Sequence, residues 1–586
     1  MTVEIKKKPR LSWWWFLLAP LLLFGMLFLQ AFGPGPEIEI GPSTTVISEP
    51  LRDNGMPNYS GFIVNKALDG VTPENNAAIP LLRALWPMEL NPDQEPYVLE
   101  ALQMPRPDPT TILVSPYETS PAIKAWILRE VPNADEDALD EDFLWGIVED
   151  AMHATWDPGE LPTMDKWAKQ NELPIDWLVE GAARPKYYFP QPDGETVESQ
   201  CMISWLLPDV QAMRQATRAL CVRSMWHLSN DRHAECWNDL LACYRIARHT
   251  NKGFSLVHNL VSIAIESMAV SNVHQLIHDE DISEELLAQI HKDLEALAPR
   301  RKMDQFFQEG ERFAALDVAI RIANGTLSAD ELGVADMSAF QVASSIRVDW
   351  NIVLKEINGW YDRHATIAQL PYAQRLVKLE ELDNDIQRLT PQNNPSRMAQ
   401  GIISMNARSQ IVADTMMMLM LPALQASIAA EDRALAYEDL IQASLALARY
   451  HKKNGKYPET LADLVPDFAA KTPVDLYTDS PFAYQTKPDG FLLYSLFEDG
   501  TDNGGTGIAG EVVEGEYVRE ETNVDIDLCD LVVRIPKPPF AMPVIPLIQP
   551  EQLSGTQMAE LEAEDDDEEE EEEEEVQDDD EDAEVE

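Results

Sequence analysis

Apolar residues recur at intervals of three and four along most of the middle of the chain, which is the spacing of one face of an α-helix. The pattern is strongest from residue 207 onward. There, Asp231 and Ser283 are expected to cap two of the helices, and short turns favour antiparallel helical hairpins. Their spacing is similar to that of tetratricopeptide-type pairs, although no strict repeat is visible. Helices are predicted over residues 163–179, 210–228, 232–249, 256–278, 283–297, 304–324, 338–361, 372–389 and 396–420.

A second kind of apolar pattern lies near the N-terminus. Residues 13–32 carry no charge, begin with three tryptophans and are long enough to cross a bilayer as one helix. Four basic residues lie at positions 6–10, whereas the first charges after the stretch, Glu37 and Glu39, are acidic. The positive-inside rule therefore predicts a single-pass anchor, with residues 1–12 in the cytoplasm and the bulk outside. A cleaved signal peptide is the alternative, although the apolar stretch is long for one and no clear cleavage site follows it.

The remaining regions complete the expected organisation. Residues 33–119 are rich in Pro and Asn, which predicts an irregular linker with a short helix near 77–86. Residues 120–420 form the predicted helical domain, and residues 421–535 combine a helix with short alternating strands. Residues 536–586 are Pro-rich and then acidic, which predicts disorder. The expected fold is mainly α: a transmembrane helix, a helical-hairpin body, a small α+β module and a disordered tail.

Charge narrows the range of partners. The formal net charge is −56, and 21 of the last 27 residues are Asp or Glu. Without those 21 charges the rest of the chain still carries −35. A field of this sign repels nucleic acid and anionic lipid, so no nucleic-acid role is expected. It suits basic partners and divalent cations.

The five cysteines are Cys201, Cys221, Cys236, Cys243 and Cys529, an odd number with no CxxC pair. Cys236 and Cys243 lie two turns apart on one predicted helix, too far to bridge each other. Small buried core residues are the expected role. A bridge between adjacent helices, for instance from Cys221 to one of that pair, is the alternative in an oxidising compartment.

The C-terminal module has a distinctive order. A helix ends in the sequence NGKYP, and a Pro-x-Asp-x-Tyr segment, a strand ending in YS and an acidic DG loop follow it. This order resembles the globular part of the major pseudopilin of type II secretion systems, over roughly a fifth of the chain. The matching positions are Asn454, Gly455, Tyr457, Pro458, Pro473, Asp475, Tyr477, Pro481, Phe482, Tyr484, Tyr494, Ser495, Asp499 and Gly500.

The resemblance has limits. The transmembrane helix of a pseudopilin directly precedes its globular part, whereas the anchor here lies some 400 residues upstream. No prepilin cleavage motif precedes Trp13, so assembly into a pseudopilus is not implied. The whole chain also resembles large membrane-anchored proteins of planctomycete-type bacteria. That resemblance implies a bacterial inner (cytoplasmic) membrane for the anchor but no particular activity.

The pseudopilin resemblance does imply a metal site. In that family the acidic loop after the YS strand binds calcium through carboxylates and backbone carbonyls. The corresponding residues here are Asp499, Asp502 and Asn503, with Asp525 and Asp527 returning from downstream. Calcium prefers six to eight hard oxygen ligands, which such a loop supplies. A lengthened, solvated turn in an acidic protein is the alternative.

Other candidates for chemistry have simpler interpretations. His274 and His278 lie one helical turn apart, a spacing that serves metal sites, but a capping or surface role is favoured. Glu309 and Glu311 are expected to form surface ion pairs or to pack between helices. Tryptophans in the helical segments are expected in the core rather than along a groove. No nucleotide-binding loop, nucleophile elbow or zinc-protease motif occurs in the sequence.

These features predict a membrane-anchored, extracytoplasmic scaffold or interaction protein with envelope proteins as partners. No catalytic or cofactor-binding residue is assigned, and an enzyme is the less favoured reading. One alternative is an envelope hydrolase with its active site in the helical domain, which a cleft with a strongly perturbed carboxylate or histidine pair would favour. Another is an accessory of a secretion or pilus-like system.

Overall fold

The computed structural model describes most of the chain. The predicted anchor, apart from Gly25, and the acidic end of the predicted tail lie outside the described residues. The described residues are 25, 33, 35–88, 90–92, 94–190, 201–205, 207–327, 347–389, 400–401, 403–488, 490–505, 512–513, 516–517, 530–537 and 539–548.

The fold is mainly helical, as predicted, with a small antiparallel sheet near the C-terminus. Ser283 caps its helix as expected, since its side chain accepts the N–H of Leu286. Asp231 does not cap: it has a positive φ in the turn, and the next helix begins two residues later. The helices are α1 (Tyr59–Leu68), α2 (Ala78–Leu85), α3 (Glu95–Ala101), α4 (Ser120–Glu130), α5 (Glu141–His153), α6 (Pro162–Gln170), α7 (Glu172–Ala183), α8 (Pro208–Leu228), α9 (His233–Thr250), α10 (Leu256–Ile277), α11 (Glu284–Glu295), α12 (Met303–Gln305, the π-helical Phe306–Glu311 and Arg312–Ala323), α13 (Trp350–Ala368), α14 (Tyr372–Leu389), α15 (Met405–Met420) and α16 (Pro422–Asn454).

The sheet follows α16. Its central strand is buried along its whole length and pairs antiparallel on both sides, with Leu493 opposite Tyr484 and Val533. Two further strand pairs are shorter. The strands are β1 (Val474–Asp475), β2 (Ser480–Pro481), β3 (Ala483–Lys487), β4 (Gly490–Ser495), β5 (Val512–Val513), β6 (Glu516–Tyr517) and β7 (Leu531–Ile535); the larger sheet has the order β3-β4-β7.

Helix α16 connects the hydrophobic core clusters of the described chain. Leu424 packs with α12, α13 and α15, while Leu445 packs with the cluster that includes α8, α9 and α10. Leu440 and Leu447 pack under the sheet. A helix that buries different faces along its length loses a single amphipathic stripe. The body and the sheet module therefore share one structural element.

Residues 33–119, expected to be largely irregular, contain three helices. Helix α2 confirms the short helix predicted near residues 77–86, and it is almost entirely buried. The segment before α1 is fixed by an ion pair between Arg52 and the fully buried Asp317, at 2.9 Å. This region is part of the packed body.

The first part of the predicted disordered tail is also ordered. Residues 539–548 run in extended form along the body, where the N–H of Phe540 donates to Thr155 and the N–H of Ile548 donates to Asn133. The Phe540 side chain is buried in the core. Proline-rich composition predicts a lack of helix, but it does not prevent an extended segment from docking through its apolar side chains.

Among the described residues, two helical stretches are long and apolar enough to cross a membrane, Leu256–Ile277 and Met405–Asn454. Their apolar windows are 67% and 69% buried inside the protein, which is typical of core helices. The first also carries the buried polar residues Glu266, Asn272 and His274, whose side chains bond to other elements.

Candidate functional site

Three of the five residues predicted to bind calcium lie together in the loop after β4. Asp502 accepts hydrogen bonds from the hydroxyl of Tyr494 and the N–H of Gly504, both at 2.9 Å. Asp499 accepts the N–H of Thr501, and Asn503 lies in the same turn. The predicted ligands Asp525 and Asp527 lie outside the described residues.

Asp530, immediately before β7, is a carboxylate that the sequence reasoning missed. It is fully buried, and one of its oxygens accepts the N–H of Gly505 at 2.9 Å. The other oxygen has no hydrogen-bond partner among the described residues. Burial and the negative charges of Asp502 and Asp499 raise the pKa of Asp530 to about 6. Its position before an alternating strand was the only sequence signal.

These contacts are compatible with a hard cation but do not assemble a finished site. Within the described part of the chain, no three His, Cys, Asp or Glu side chains converge closely enough to hold a metal ion. A divalent cation would relieve the repulsion of Asp530 by Asp502 and Asp499. The oxygen of Asp530 that has no hydrogen-bond partner among the described residues is available as a ligand. Calcium binding stays a prediction.

The histidine pair was expected to have a capping or surface role. His274 on α10 is buried, so a surface role is wrong for it, whereas the half-buried His278 occupies the C-cap position of α10. His274 Nδ1 lies 3.0 Å from the hydroxyl of Ser444 on α16, and His278 Nε2 lies 2.8 Å from the same oxygen. His278 Nδ1 is 3.0 Å from the hydroxyl of Tyr457 in the NGKYP turn. Burial lowers the pKa of His274 to about 3, so its ring is neutral at pH 7. The network joins the body to the module.

Glu309 and Glu311 occupy the π-helical stretch of α12 and bond as expected. Glu309 lies 2.6 Å from Lys66 and 2.9 Å from Arg301, while Glu311 accepts the N–H of Leu256 at the start of α10. Gly310 sits between them because a Cβ there would overlap the carbonyl oxygen of Phe254. This close approach brings α12 against the turn that precedes α10.

Beside this contact the chain forms a cleft of about 670 Å³ that sequence reasoning did not anticipate. Its walls come from α1, the segment after α7, the turn between α9 and α10, and the start of α12. Aromatic rings and charged groups share the lining. The aromatic residues are Tyr187, Tyr188, Phe189, Trp205 and Phe254, and the charged residues are Lys66, Asp69, Lys186, Asp209, Lys252, Arg301 and Glu309.

Two lysines of the cleft lack an acidic partner. Lys186 donates to the carbonyl oxygen of Asp69 at 3.1 Å, and Lys252 donates to that of Pro185 at 3.3 Å. Within the described part of the chain, neither ammonium has a carboxylate oxygen within 4.0 Å. Burial and the nearby charge of Lys186 lower the pKa of Lys252. Such a pair is unusual in a chain with 101 acidic and 45 basic residues.

A serine and a histidine meet at the cleft wall. Ser255, which precedes α10, has its hydroxyl 2.7 Å from Nδ1 of the buried His258. Burial lowers the pKa of His258, while the charge of Asp209 opposes that shift. Asp209 itself accepts the hydroxyl of Tyr187 at 2.7 Å. The neutral imidazole is thus in reach of a hydroxyl proton.

The described cysteines are in the core, as expected, whereas the tryptophans follow the core interpretation only in part, since Trp145 is exposed. Cys201, Cys221, Cys236 and Cys243 are buried, and the alternative bridge from Cys221 to Cys236 or Cys243 is not formed. Cys529 lies outside the described residues. Tryptophans such as 156, 167 and 237 are in the core. Trp205 is also largely buried, yet it lines the cleft, and its indole N–H has no acceptor among the described residues.

Comparisons with family models, with curated proteins and with solved structures find no match to this chain. The functional argument therefore depends on the geometry of the cleft and the acidic loop.

Proposed function

We propose that the protein is a membrane-anchored, extracytoplasmic scaffold or binding protein that holds an envelope component in the cleft beside α12. Residues 13–32 would tether it to the cytoplasmic membrane as a single span. The observation that carries the proposal is the pair Lys186 and Lys252, which faces a partly aromatic cleft without a carboxylate among the described residues. Charges placed without partners in a protein are typical of ligand recognition.

The surrounding framework supports a binding role. Charged residues buried elsewhere are used to join elements: Glu266 of α10 pairs with Arg248 and Arg300, and Arg248 reaches Glu438 of α16 at 2.7 Å. Buried ion pairs of this kind fix geometry more than they add stability. A cleft on such a framework is preorganised, which lowers the entropic cost of binding.

Calcium belongs to the same proposal. Asp499, Asp502, Asn503 and Asp530, with contributions from Asp525 and Asp527, would hold the ion at the module. Its charge would relieve the repulsion around Asp530 and fix the loop between β4 and β7. The role would be structural, since the loop residues do not line the cleft.

Site-directed photocrosslinking in intact membranes tests the binding role. A diazirine amino acid would replace Gln308, which is exposed and lines the cleft, or, as the matched control, the exposed Gln374 on α14 outside the cleft lining. We expect a reproducible adduct from position 308 that is absent from position 374. No adduct from position 308, or the same adducts from both positions, would contradict the proposal.

A hydrolase is the second candidate, and the contact between Ser255 and His258 favours it. His258 could accept the hydroxyl proton while the oxygen attacks a carbonyl carbon. The N–H of Leu256, which would stabilise the resulting oxyanion, is already bonded to Glu311. The contact also fits a serine at a helix N-terminus bonding within the first turn.

An active-site-directed fluorophosphonate separates the two candidates. Labelling that disappears in Ser255→Ala would establish a reactive serine and replace the binding proposal. We expect no labelling of the wild-type protein at Ser255.

A further inference from the structure

We propose that the cleft beside α12 binds an acidic carbohydrate, a short sugar oligomer that carries carboxylate or phosphate groups. The inference rests on the proposed function and names the ligand class of the same cleft. Three independent features of the lining, namely unpaired cations, an unpaired N–H and aromatic faces, each require something that such a ligand supplies.

The anionic groups of the ligand would meet Lys186 and Lys252. Both ammonium groups are held in place by backbone carbonyls, which leave further N–H donors free. By contrast, Lys66 and Arg301 in the same cleft share the carboxylate of Glu309. The pKa of Lys252 is lowered by burial and also by the charge of Lys186, so the two ammonium groups are close enough for one carboxylate or phosphate to gain charge-assisted hydrogen bonds from them.

The indole N–H of Trp205 is a hydrogen-bond donor that an oxygen atom of a ligand could satisfy. The side chain is only 7% exposed, and its Nε1 has no acceptor among the described residues. A ligand oxygen that reached this buried donor would recover the free energy that the missing hydrogen bond costs the free protein. The ring is held edge-on against Phe254, with centroids 5.0 Å apart, so the N–H direction is fixed.

The aromatic lining suits the apolar faces of sugar rings. Tyr187 and Tyr188 are half-buried and border the same space as Trp205, so that C–H faces and ring faces can meet. A volume of about 670 Å³ falls within the range of small-ligand sites. A wholly apolar ligand would leave the lysines without partners.

An acidic peptide is the competing ligand, and the polar balance of the cleft disfavours it. The carboxylates of Asp209 and Glu309 are already used by Tyr187 and by the Lys66–Arg301 pair. Among the described residues, the ammonium groups of Lys186 and Lys252 have no carboxylate partner and the indole N–H of Trp205 has no acceptor, so three donors remain for a ligand. Each peptide unit brings an N–H that also needs an acceptor, whereas sugar hydroxyls accept or donate as required.

Calorimetric titration of the full-length protein in detergent tests the inference. The probes are a trimer of galacturonic acid, the uncharged galactose trimer, a phosphorylated disaccharide and a glutamate trimer. We expect the acidic sugars to bind at least about tenfold more tightly than the neutral trimer, with affinity that falls as salt rises. Preference for the uronate or for the phosphate supports the inference and identifies the anionic group.

Variants locate the binding. Lys186→Gln and Lys252→Gln should each weaken acidic sugar binding about tenfold, the effect of one charge-assisted hydrogen bond. Lys252→Arg should retain binding, which separates charge loss from misfolding. Trp205→Phe keeps a ring without the N–H and should weaken binding about fivefold. Lys169→Gln is the matched control, because Lys169 is exposed, paired with Asp165 and outside the cleft lining.

Three results would overturn the inference: no binding of either acidic sugar, equal binding of the neutral trimer, or tighter binding of the glutamate trimer. Unchanged affinity in both lysine-to-glutamine variants would overturn it as well. A cleft-specific crosslink from position 308 in any of these cases would leave the proposed binding function standing, so the two failures are distinguishable.

Discussion

The buried histidine that links body and module provides a quantitative test of the packing. Replacing His274 by Asn removes a titratable ring but keeps a polar atom near the hydroxyl of Ser444 on α16. The native ring is 3% exposed, and its pKa is lowered from 6.5 to about 3, chiefly by burial and further by the charge of Lys537. The folded protein must therefore keep this ring neutral.

The sign and size of the effect follow from proton linkage. Because the pKa is lower in the folded state, the unfolded chain binds more protons below pH 6.5, and stability falls as the pH falls. Each unit by which the pH falls below 6.5 lowers the free energy of unfolding by about 1.4 kcal/mol per histidine, until the pKa of the folded state is reached. Between pH 7.5 and 4.5 the neutral buried ring thus lowers the free energy of unfolding by about 2.7 kcal/mol, a loss that the Asn variant does not suffer.

Urea unfolding of wild type and His274→Asn, followed by tryptophan fluorescence, measures the difference. At pH 7.5 we expect the variant to be less stable by about 1–3 kcal/mol, as is usual for a core truncation. At pH 4.5 this difference in the free energy of unfolding between wild type and variant should disappear or change sign. His291→Gln on α11 is the control, because solvent reaches that ring. A gap that does not change with pH would refute the account of His274.

Three further predictions concern other sites. Calcium at about 100 times its dissociation constant should raise the free energy of unfolding by about 2.7 kcal/mol, measured as a higher melting temperature, and Asp530→Asn should abolish this stabilisation. An unchanged melting temperature at millimolar calcium would contradict the calcium site. Arg223 pairs with the buried Asp239 at 2.6 Å, so Arg223→Met should lower the free energy of unfolding in urea by about 3–5 kcal/mol. Recovery of stability in the double variant Arg223→Met, Asp239→Leu would confirm that the unpaired buried carboxylate causes the loss. Gly310→Ala should lower the melting temperature through overlap with Phe254, whereas Gly359→Ala on α13, where space is open, should not.

Local pattern was enough to predict the hairpins. Helices α8 to α11 expose one side, and so their apolar spacing and the cap at Ser283 are visible in the sequence. Helix α2 was also predicted, near residues 77–86, but its almost complete burial depends on contacts with distant residues. The docking of Phe540 depends on a surface formed by distant residues, and proline content alone does not reveal it.

The candidate sites were less visible for the same reason. The acidic loop is contiguous, so Asp499 and Asp502 are visible from sequence, whereas Asp530 reaches them only through the pairing of β4 with β7. The cleft joins Lys66 of α1 to Glu309 of α12, some 240 residues away. No local pattern records such a contact, and the missing partners of Lys186 become evident only in three dimensions.

The central claim is that a single N-terminal span holds the cleft outside the cytoplasmic membrane. Labelling with a membrane-impermeant maleimide tests it in cells whose outer membrane is permeabilised, using Thr2→Cys and the exposed Gln374→Cys. The four described native thiols are buried, which favours a low background. The account predicts that Gln374→Cys reacts in these cells and that Thr2→Cys reacts only after the inner membrane is lysed. The opposite pattern, or reaction of both only after lysis, would contradict it.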